Sequence, residues 1–459
     1  MFAIATLAIF TRFLSPAEYG VYALGVSIST VASAILFQWI NEAVGRFYPI
    51  YLDEPGKILA IAGRGFWKAA AVSLLLFLGV LPFLEVFGIG ATLVGILFLI
   101  TVSLGRYTLA LQVANAQGAP VRYCLLSWAK GGGALAAGFV FIFYGISDQG
   151  ALLGLLVGLV FAVVAFSPNP WMSMKLGSVD TRRSEEMFHY GLPLTLNFLA
   201  ILIVDVSDRF MIGKLLGAAQ VAPYAVAYDL VQQSLGAVMN VLFLSTFPLI
   251  VKVFEGDGDE PARIHLHNLG SWLVSLGLPI AVGVGVLASE ISETIFTSNY
   301  SKDAGAVMPW LAAAIFVAIL KSNFLDLAFQ LRHVTKYQVY IAILMAVVNI
   351  VLNLLLLPLY GVIAAAWATL AAFAVGALVS WLAGKSIFTL PALGNVFWKS
   401  ACASASMAVV LCILPSTSGT IWLLAKIALG FVTYSSIAWA LDVAGCRGLI
   451  IAFISQRTK

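Results

Sequence analysis

Apolar residues recur along the whole chain in runs that are long enough to form helices across a membrane. Each run ends at proline, glycine, asparagine or a charged residue. A helix needs about 20 apolar residues to cross the hydrocarbon core of a bilayer, because each residue adds about 1.5 Å. We therefore predict about fourteen helices, near residues 1–14, 19–41, 65–84, 89–112, 123–144, 150–168, 189–213, 221–246, 266–288, 305–325, 338–357, 361–383, 397–414 and 420–442.

The positive charges alternate between the two sides that this helix map defines. The loops on one side hold only Arg12, Lys214 and Lys302. Most other Lys and Arg fall on the opposite side, in segments 42–68, 112–122, 169–188, 249–265, 326–337, 384–399 and the tail. Cytoplasmic loops of membrane proteins carry this excess, so both termini are predicted to be cytoplasmic.

The composition agrees with a bilayer environment and excludes several kinds of partner. Hydrophobic residues make up 61% of the chain and charged residues 10%, which is too few charges to cover a water-facing surface. The net charge of +4 is explained by the basic loops, so nucleic acid is not an expected ligand.

Cofactor and metal chemistry have no support in the motifs. The four cysteines form no C-x-x-C pair, and His265 and His267 diverge around a helix because they are two residues apart. Gly384-Lys385-Ser386 lacks the earlier glycine of a phosphate-binding loop. We expect neither a cofactor, a bound metal nor a nucleotide.

An internal repeat divides the chain. Leu14 to Ala23 aligns with Leu216 to Ala225, and Tyr144-Gly145 aligns with Tyr360-Gly361. Each copy contains six predicted helices. Because six is an even number, the chain enters the membrane from the same side in both copies. We predict a six-helix lobe at 1–168, a cytoplasmic linker at 169–188, a second six-helix lobe at 189–384, and two extra helices with a tail at 385–459. Gly150, Gly154 and Gly158 predict a close helix contact.

Two stretches at the repeat carry a family resemblance. Asp208 to Gly217, followed by Tyr224-Ala225, resembles the seventh-helix signature of Wzx-type bacterial polysaccharide flippases, and Thr11 to Gly20 resembles the first loop of that family. The family belongs to the multidrug/oligosaccharidyl-lipid/polysaccharide superfamily. The resemblance implies an all-α inner-membrane protein with two parallel lobes around a central cavity. By alternating access, it would carry a polyprenyl-diphosphate-linked oligosaccharide to the outer leaflet, among membrane lipids and other polysaccharide assembly proteins.

Charges inside the predicted helices indicate where such a substrate binds. Arg46, Arg106 and Lys130 lie towards the cytoplasmic ends, and basic side chains bind a diphosphate through charge-assisted hydrogen bonds. Snorkelling to the headgroups is the alternative explanation for all three. Lys321 lies within a turn of a predicted helix end and is expected to be such an anchor.

Polar side chains on two helices are candidates for binding sugar hydroxyls. The first set shares one face of the second helix, and the second set shares one face of the eighth with Asp229 at i, i+3 and i+4 spacing. The predicted sugar-binding residues are Gln38, Asn41, Glu42, Gln232 and Gln233.

An acidic cluster lies near the predicted outer ends of the seventh and eighth helices. It comprises Asp205, Asp208, Arg209 and Asp229, and Asp205 and Arg209 have the i,i+4 spacing of an intrahelical ion pair. We predict a gate or an ion-coupling site here, with a purely structural charge cluster as the alternative.

Three other functions fit parts of the pattern. The acidic cluster alone is compatible with a cation-coupled drug or metabolite antiporter, and a lipid II flippase would share the architecture. A membrane glycosyltransferase or polymerase fits less well, because the longest outer loop, 289–304, offers few carboxylates beyond Glu290, Glu293 and Asp303. The chain is therefore expected to be a transporter and not an enzyme.

Overall fold

The computed structural model describes residues 2–51, 55–86, 90–167, 181–334, 336–415 and 419–447. Helices and the turns between them account for these residues, and the described ranges contain no β-strand. Two π-turns, Gln232–Gly236 and Lys321–Leu325, interrupt longer helices, and Val443–Gly445 forms a short 3₁₀ turn. The α-helices are α1 Phe2–Phe13, α2 Pro16–Ile50, α3 Pro55–Val86, α4 Ala91–Ala116, α5 Pro120–Phe143, α6 Ser147–Phe166, α7 Thr181–Leu216, α8 Ala218–Val231, α9 Ala237–Asp257, α10 Asp259–Val286, α11 Ala288–Ile295, α12 Ser298–Leu320, α13 Leu327–Leu331, α14 Lys336–Tyr360, α15 Val362–Lys385, α16 Gly394–Ile413 and α17 Thr420–Ala440.

Twelve segments of the described chain are long and apolar enough to cross a membrane. Helix α7 adds a thirteenth, although it is bent by 50° between Leu196 and Ile201, and α1 is a shorter apolar helix. The α8–α9 and α12–α13 pairs each count as one segment because a π-turn, rather than a loop, joins their two parts. The chain is thus a multi-pass membrane protein, as the hydrophobic pattern predicted.

The chain divides into two compact units, residues 1–213 and 214–459. The predicted lobe boundaries remain predictions, and residues 169–180 of the predicted linker lie outside the described residues. In the second unit, α16 packs against α10, so the two C-terminal helices belong to that unit.

Each copy of the sequence repeat contains the start of a helix, α2 in the first copy and α8 in the second. In the first copy, the Glu18 N–H donates to Ser15 Oγ at 3.4 Å, and the Ser15 N–H donates to Glu18 Oε2 at 2.7 Å. This reciprocal pair is a capping box, and Pro16 in the first turn does not disturb it because that turn needs no N–H partner. In the second copy, α8 begins after Gly217, whose φ of 92° favours glycine.

The later part of the repeat also has a structural counterpart. Gly145 and Gly361 both have positive φ, 88° and 67°, and each joins two neighbouring helices that pack closely. Helices α5 and α6 approach through glycine: a Cβ at Gly154 would lie 2.4 Å from Gly138 Cα, and one at Gly158 would lie 2.5 Å from Ala134 N. The predicted close contact along Gly150, Gly154 and Gly158 is confirmed.

Candidate functional site

Helices α2 and α4 of the first unit lie side by side and run in the same direction. Ser29 Oγ donates to the Leu97 carbonyl at 3.4 Å, and about two turns further on Phe37 packs on Gly105. Beyond that point a row of polar side chains joins the two helices. We call the polar part, formed by Gln38, Asn41 and Glu42 of α2 and Thr108 and Gln112 of α4, the α2–α4 seam.

Hydrogen bonds connect the residues of this seam into a chain. Gln38 Nε2 donates to Glu42 Oε1 at 2.9 Å. Asn41 Nδ2 donates to Gln38 Oε1 at 3.3 Å and to Thr108 Oγ1 at 3.1 Å. Asn41 is 6% exposed, whereas Gln38 and Glu42 are half-buried. The three α2 residues that were predicted to share a face are therefore close together.

The seam continues towards the end of α2 that the charge pattern assigns to the cytoplasm. A Cβ at Gly45 would lie 2.2 Å from Gln112 Nε2, so glycine is needed for the glutamine side chain to cross this contact. One turn further, Gln117 Nε2 donates to Tyr48 Oη at 2.8 Å. Polar contacts thus extend over about three turns of α2.

Arg46 lies on the same exposed face of α2 as Glu42, one turn further on. Its guanidinium carbon is 5.0 Å from the centroid of the Tyr190 ring. Tyr190 is held there because α7 approaches α2 closely: a Cβ at Gly191 would lie 2.2 Å from the Trp39 carbonyl oxygen. Arg46 is exposed, and a guanidinium over a ring keeps its in-plane N–H donors directed past the ring edge.

The other two predicted basic residues have different surroundings. Arg106 is 5% exposed, and its Nη2 donates to Ser167 Oγ at 3.4 Å, near the end of α6. Arg106 lies about 160° around α4 from Thr108, so it projects away from the α2–α4 seam. Lys130 is half-buried as a residue, and its ammonium lies 5.4 Å from the centroid of the Tyr107 ring.

The structure therefore does not bring Arg46, Arg106 and Lys130 together through the contacts of the described residues. Arg46 alone among them is exposed. Arg106 and Lys130 contact residues of α4 and of the α6 terminus instead. Of the predicted diphosphate ligands, Arg46 is exposed, Arg106 is buried and Lys130 is half-buried, and the role of all three as ligands remains a prediction.

The acidic cluster on α7 is buried beyond the bend in that helix. Asp208 is 0% and Arg209 8% exposed, and Asp205 is half-buried. Each of these residues has an interaction partner. Asp208 and Arg209 are therefore buried charges that have interaction partners, and their role as a gate remains a prediction.

The second predicted sugar-binding face lies where α8 changes into a π-turn. Asp229 is half-buried on α8, while Gln232 and Gln233 form the first two residues of the turn. Gln233 is exposed, and the Gln232 amide lies against Gly236, 3.0 Å from where its Cβ would be. The turn widens the helix, so the i, i+3, i+4 geometry that was assumed for these residues ends at Gln232.

The sequence interpretation missed a buried ion pair in the second unit. Lys321 Nζ lies 2.7 Å from Asp326 Oδ2, and the two side chains are 9% and 7% exposed. Ser380 Oγ donates to Asp326 Oδ1 at 2.7 Å, so both carboxylate oxygens accept hydrogen bonds. The expectation that Lys321 anchors a helix end at the headgroups is wrong, because its side chain is directed into the protein.

A second missed pair joins the last helix to the rest of the unit. Lys426 of α17, 4% exposed, forms an ion pair with Glu290 of the short helix α11. The sequence assigned no role to Lys426, and Glu290 was considered only as an outer-loop carboxylate. In both pairs, the available signal was a lone lysine inside an apolar run, which needs a buried partner.

Comparison with known proteins identifies the fold. Residues 132–304 match the family model described as a polysaccharide biosynthesis protein, which is less than half of the chain. The search of curated proteins finds no match. A structure of the lipid II flippase MurJ in an inward closed conformation has a TM-score of 0.69 at 16% identity, covering 98% of this chain and 100% of that one.

Two further solved structures agree. An inward-facing multidrug resistance MATE family transporter of the MOP superfamily has a TM-score of 0.66 at 13% identity, covering 84% of this chain and 93% of that one. A MOP superfamily transporter from Pyrococcus furiosus has a TM-score of 0.56 at 14% identity, covering 84% and 91%.

These similarities define a membrane transporter fold. The fold is the one that the lipid II flippase and these MOP superfamily transporters share, so the resemblance in the sequence is confirmed at the level of the fold.

Proposed function

We propose that the protein is a flippase for a polyprenyl-diphosphate-linked oligosaccharide, acting in the bacterial inner membrane with both termini in the cytoplasm. It moves the substrate from the cytoplasmic to the outer leaflet and makes or breaks no covalent bond. The partial match to a polysaccharide biosynthesis family and the fold shared with a lipid II flippase support this function.

The observation that carries the proposal is the position of Arg46 beside the α2–α4 seam. Arg46 is exposed and stacked on Tyr190, and the first seam residue on its face, Glu42, lies one helical turn or about 5.4 Å away along α2. In a diphosphate-linked glycan the first sugar is bonded directly to the phosphate. A cationic residue followed within one turn by carboxylate and amide side chains matches that order of groups.

The exposed face of α2 also changes character along its length. Ile28 and Ile35 are 39% and 55% exposed on the same face that carries Glu42 and Arg46 further on. A substrate with an anionic head at the cytoplasmic end would encounter polar groups there and apolar groups towards the other end. This gradient suits a molecule that enters the protein from the cytoplasmic leaflet.

Two related functions use the same fold. A lipid II flippase would use Arg46 for the same diphosphate, and the glycan alone separates it from the proposed function. A cation-coupled antiporter fits this face less well, because it gives the exposed guanidinium of Arg46 no ligand, whereas a diphosphate binds it.

The test is transport of a defined lipid in proteoliposomes. Purified protein is reconstituted with a fluorescent undecaprenyl-diphosphate-linked disaccharide, and movement between leaflets is followed by quenching with a membrane-impermeant reagent. Arg46→Ala should lower the rate by at least about tenfold, because a charge-assisted contact to the diphosphate is lost. Arg46→Lys should retain part of the rate, since the charge remains and the stacked guanidinium does not.

Lys252→Ala serves as the control. Lys252 is exposed on α9 in the second unit, within the basic segment 249–265 that is predicted to be cytoplasmic, so its loss removes a positive charge without changing the Arg46–Tyr190 contact. Equal rates for Arg46→Ala and the unaltered protein, with both variants correctly inserted, would refute the proposed diphosphate site.

A further inference from the structure

The α2–α4 seam has more acceptors than donors once its internal hydrogen bonds are assigned. Both N–H groups of Asn41 are used, one on Gln38 and one on Thr108, and the Thr108 hydroxyl donates to the Gly105 carbonyl at 3.1 Å. Asn41 Oδ1 is buried and accepts no hydrogen bond in the described part of the chain. Glu42 Oε1 accepts from Gln38, which leaves Oε2 as a second acceptor.

Glu42 fixes the direction of this chain of hydrogen bonds. An ionised carboxylate only accepts, so the Gln38 amide must present its nitrogen to Glu42 and its oxygen to Asn41. Asn41 must then present its nitrogen to Gln38, which turns Oδ1 away from both partners. A single charged residue therefore orients two amides and leaves a buried acceptor that is costly without a donor.

We propose that the α2–α4 seam is a saccharide subsite that selects glycans with neutral or amino sugars next to the diphosphate and rejects acidic sugars. The inference rests on the proposed flippase function. Hydroxyl, ammonium and amide N–H groups of such sugars donate to Asn41 Oδ1 and Glu42 Oε2. A uronate or another sugar carboxylate brings only acceptors and a second negative charge to the same oxygens, which is unfavourable in a poorly screened site.

The positive charge of Arg46 does not cancel the preference of the seam for neutral or amino sugars. Its guanidinium is 5.0 Å from the Tyr190 ring centroid and Glu42 is hydrogen-bonded to Gln38, so the two side chains have separate partners although their i,i+4 spacing permits an ion pair. The diphosphate binds Arg46, so the charge that remains next to the sugar is the negative charge of Glu42. Both the negative charge of the seam and its excess of hydrogen-bond acceptors therefore favour a neutral or amino sugar.

The test compares two lipids that differ in one sugar. The unaltered protein and Glu42→Gln are reconstituted with undecaprenyl-diphosphate linked to glucose or to glucuronic acid, and the leaflet exchange rates are measured. The unaltered protein should move the glucose lipid about tenfold faster or more. In Glu42→Gln the ratio should fall to within about threefold, because the negative charge is removed and the amide donates as well as accepts.

Control variants separate selection from damage. Glu255→Gln removes an exposed carboxylate in the second unit and should leave the ratio unchanged. Glu42→Ala removes the charge without adding a donor. It should also lower the ratio of the glucose-lipid rate to the glucuronic-acid-lipid rate, so it tests the subsite if Glu42→Gln inserts poorly.

Each outcome has a distinct meaning. Equal rates for both lipids in the unaltered protein, or an unchanged ratio in both Glu42 variants, overturn the subsite while leaving the flippase function intact. Failure of the unaltered protein to move either lipid overturns the proposed function itself.

Discussion

At the scale of single residues, the backbone explains how Lys321 and Asp326 meet. Residues five apart lie about 140° from each other on an α-helix and do not share a face. Here the Asp326 N–H donates to the Lys321 carbonyl at 2.8 Å, which is the i to i+5 bond of a π-turn. The wider turn brings the two side chains to one side of the helix. The ion pair and the π-turn therefore depend on each other.

Removing one partner of this pair should destabilise the protein strongly. Lys321→Met leaves Asp326 as a buried carboxylate that retains Ser380 and loses its counter-charge, which costs about 3–5 kcal/mol. The double variant Lys321→Met/Asp326→Asn carries no charge and should recover most of that loss. Thermal unfolding in detergent, followed by fluorescence-detected size exclusion, measures both.

Lys336→Met is the control, since Lys336 is exposed at the start of α14 and should tolerate the change. If the double variant is less stable than either single variant, the loss of charge balance does not explain the destabilisation. The next residues to vary would then be the buried Asn323 and the exposed Asn240, whose side chains form a hydrogen bond of 3.4 Å.

The sequence predicted the positions of these charges better than their roles. Hydrophobic patterning places Lys321 near the end of a run, and an α-helical wheel puts Asp326 on a different face. A π-turn has no local sequence signature, so the pairing is visible only in three dimensions. The α2 residues Gln38, Asn41 and Glu42 were predicted to lie together because they follow ordinary α-helical spacing, and they do.

At the scale of elements, α5 and α6 depend on glycine for their contact. Gly154→Val should disrupt it, because the nearest atoms to a Cβ there are the Gly138 backbone at 2.4 and 2.5 Å and the Ala134 carbonyl oxygen at 2.8 Å. Backbone cannot rotate aside as a side chain can. We expect a cost at or above the ~1–3 kcal/mol of ordinary overpacking, and a lowered melting temperature.

Gly95→Val on α4 is the matched control, since a Cβ at Gly95 has nothing within 4 Å. Similar melting temperatures for the two variants would mean that α5 and α6 separate without cost. The control also accounts for the change in helix propensity that both substitutions share.

The existence of the helices was easier to predict than their limits. Runs of apolar residues mark the membrane-embedded part, so the second helix was expected at 19–41, whereas α2 extends over Pro16–Ile50. The additional residues, 16–18 and 42–50, include the charged Glu18, Glu42 and Arg46. They are helical because a capping box and packing on α4 and α7 stabilise them. Hydropathy reports burial in lipid and does not report where a helix ends in water.

At the scale of the whole molecule, the two C-terminal helices are bound into the second unit by specific contacts. Tyr434 Oη of α17 donates to the Ser275 carbonyl of α10 at 2.5 Å. Lys426 is paired with Glu290, and Met407 and Leu411 of α16 pack with Leu287 and Tyr434 in one apolar cluster. The sequence predicted these helices as an extra pair outside the two six-helix lobes, because they have no counterpart in the first copy of the repeat.

These contacts predict that residues 394–459 are needed for folding and not only for transport. Deleting them removes the donor to the Ser275 carbonyl of α10 and leaves the Glu290 carboxylate, 14% exposed, without its lysine. An isolated polar or charged group facing lipid is costly, so the truncated chain should aggregate or be degraded after insertion. Lys426→Met should be intermediate, with a melting temperature restored by Lys426→Met/Glu290→Gln. A truncated chain that purifies as a monodisperse species with an unchanged melting temperature would show instead that α16 and α17 are only attached to the surface of a unit that is complete without them.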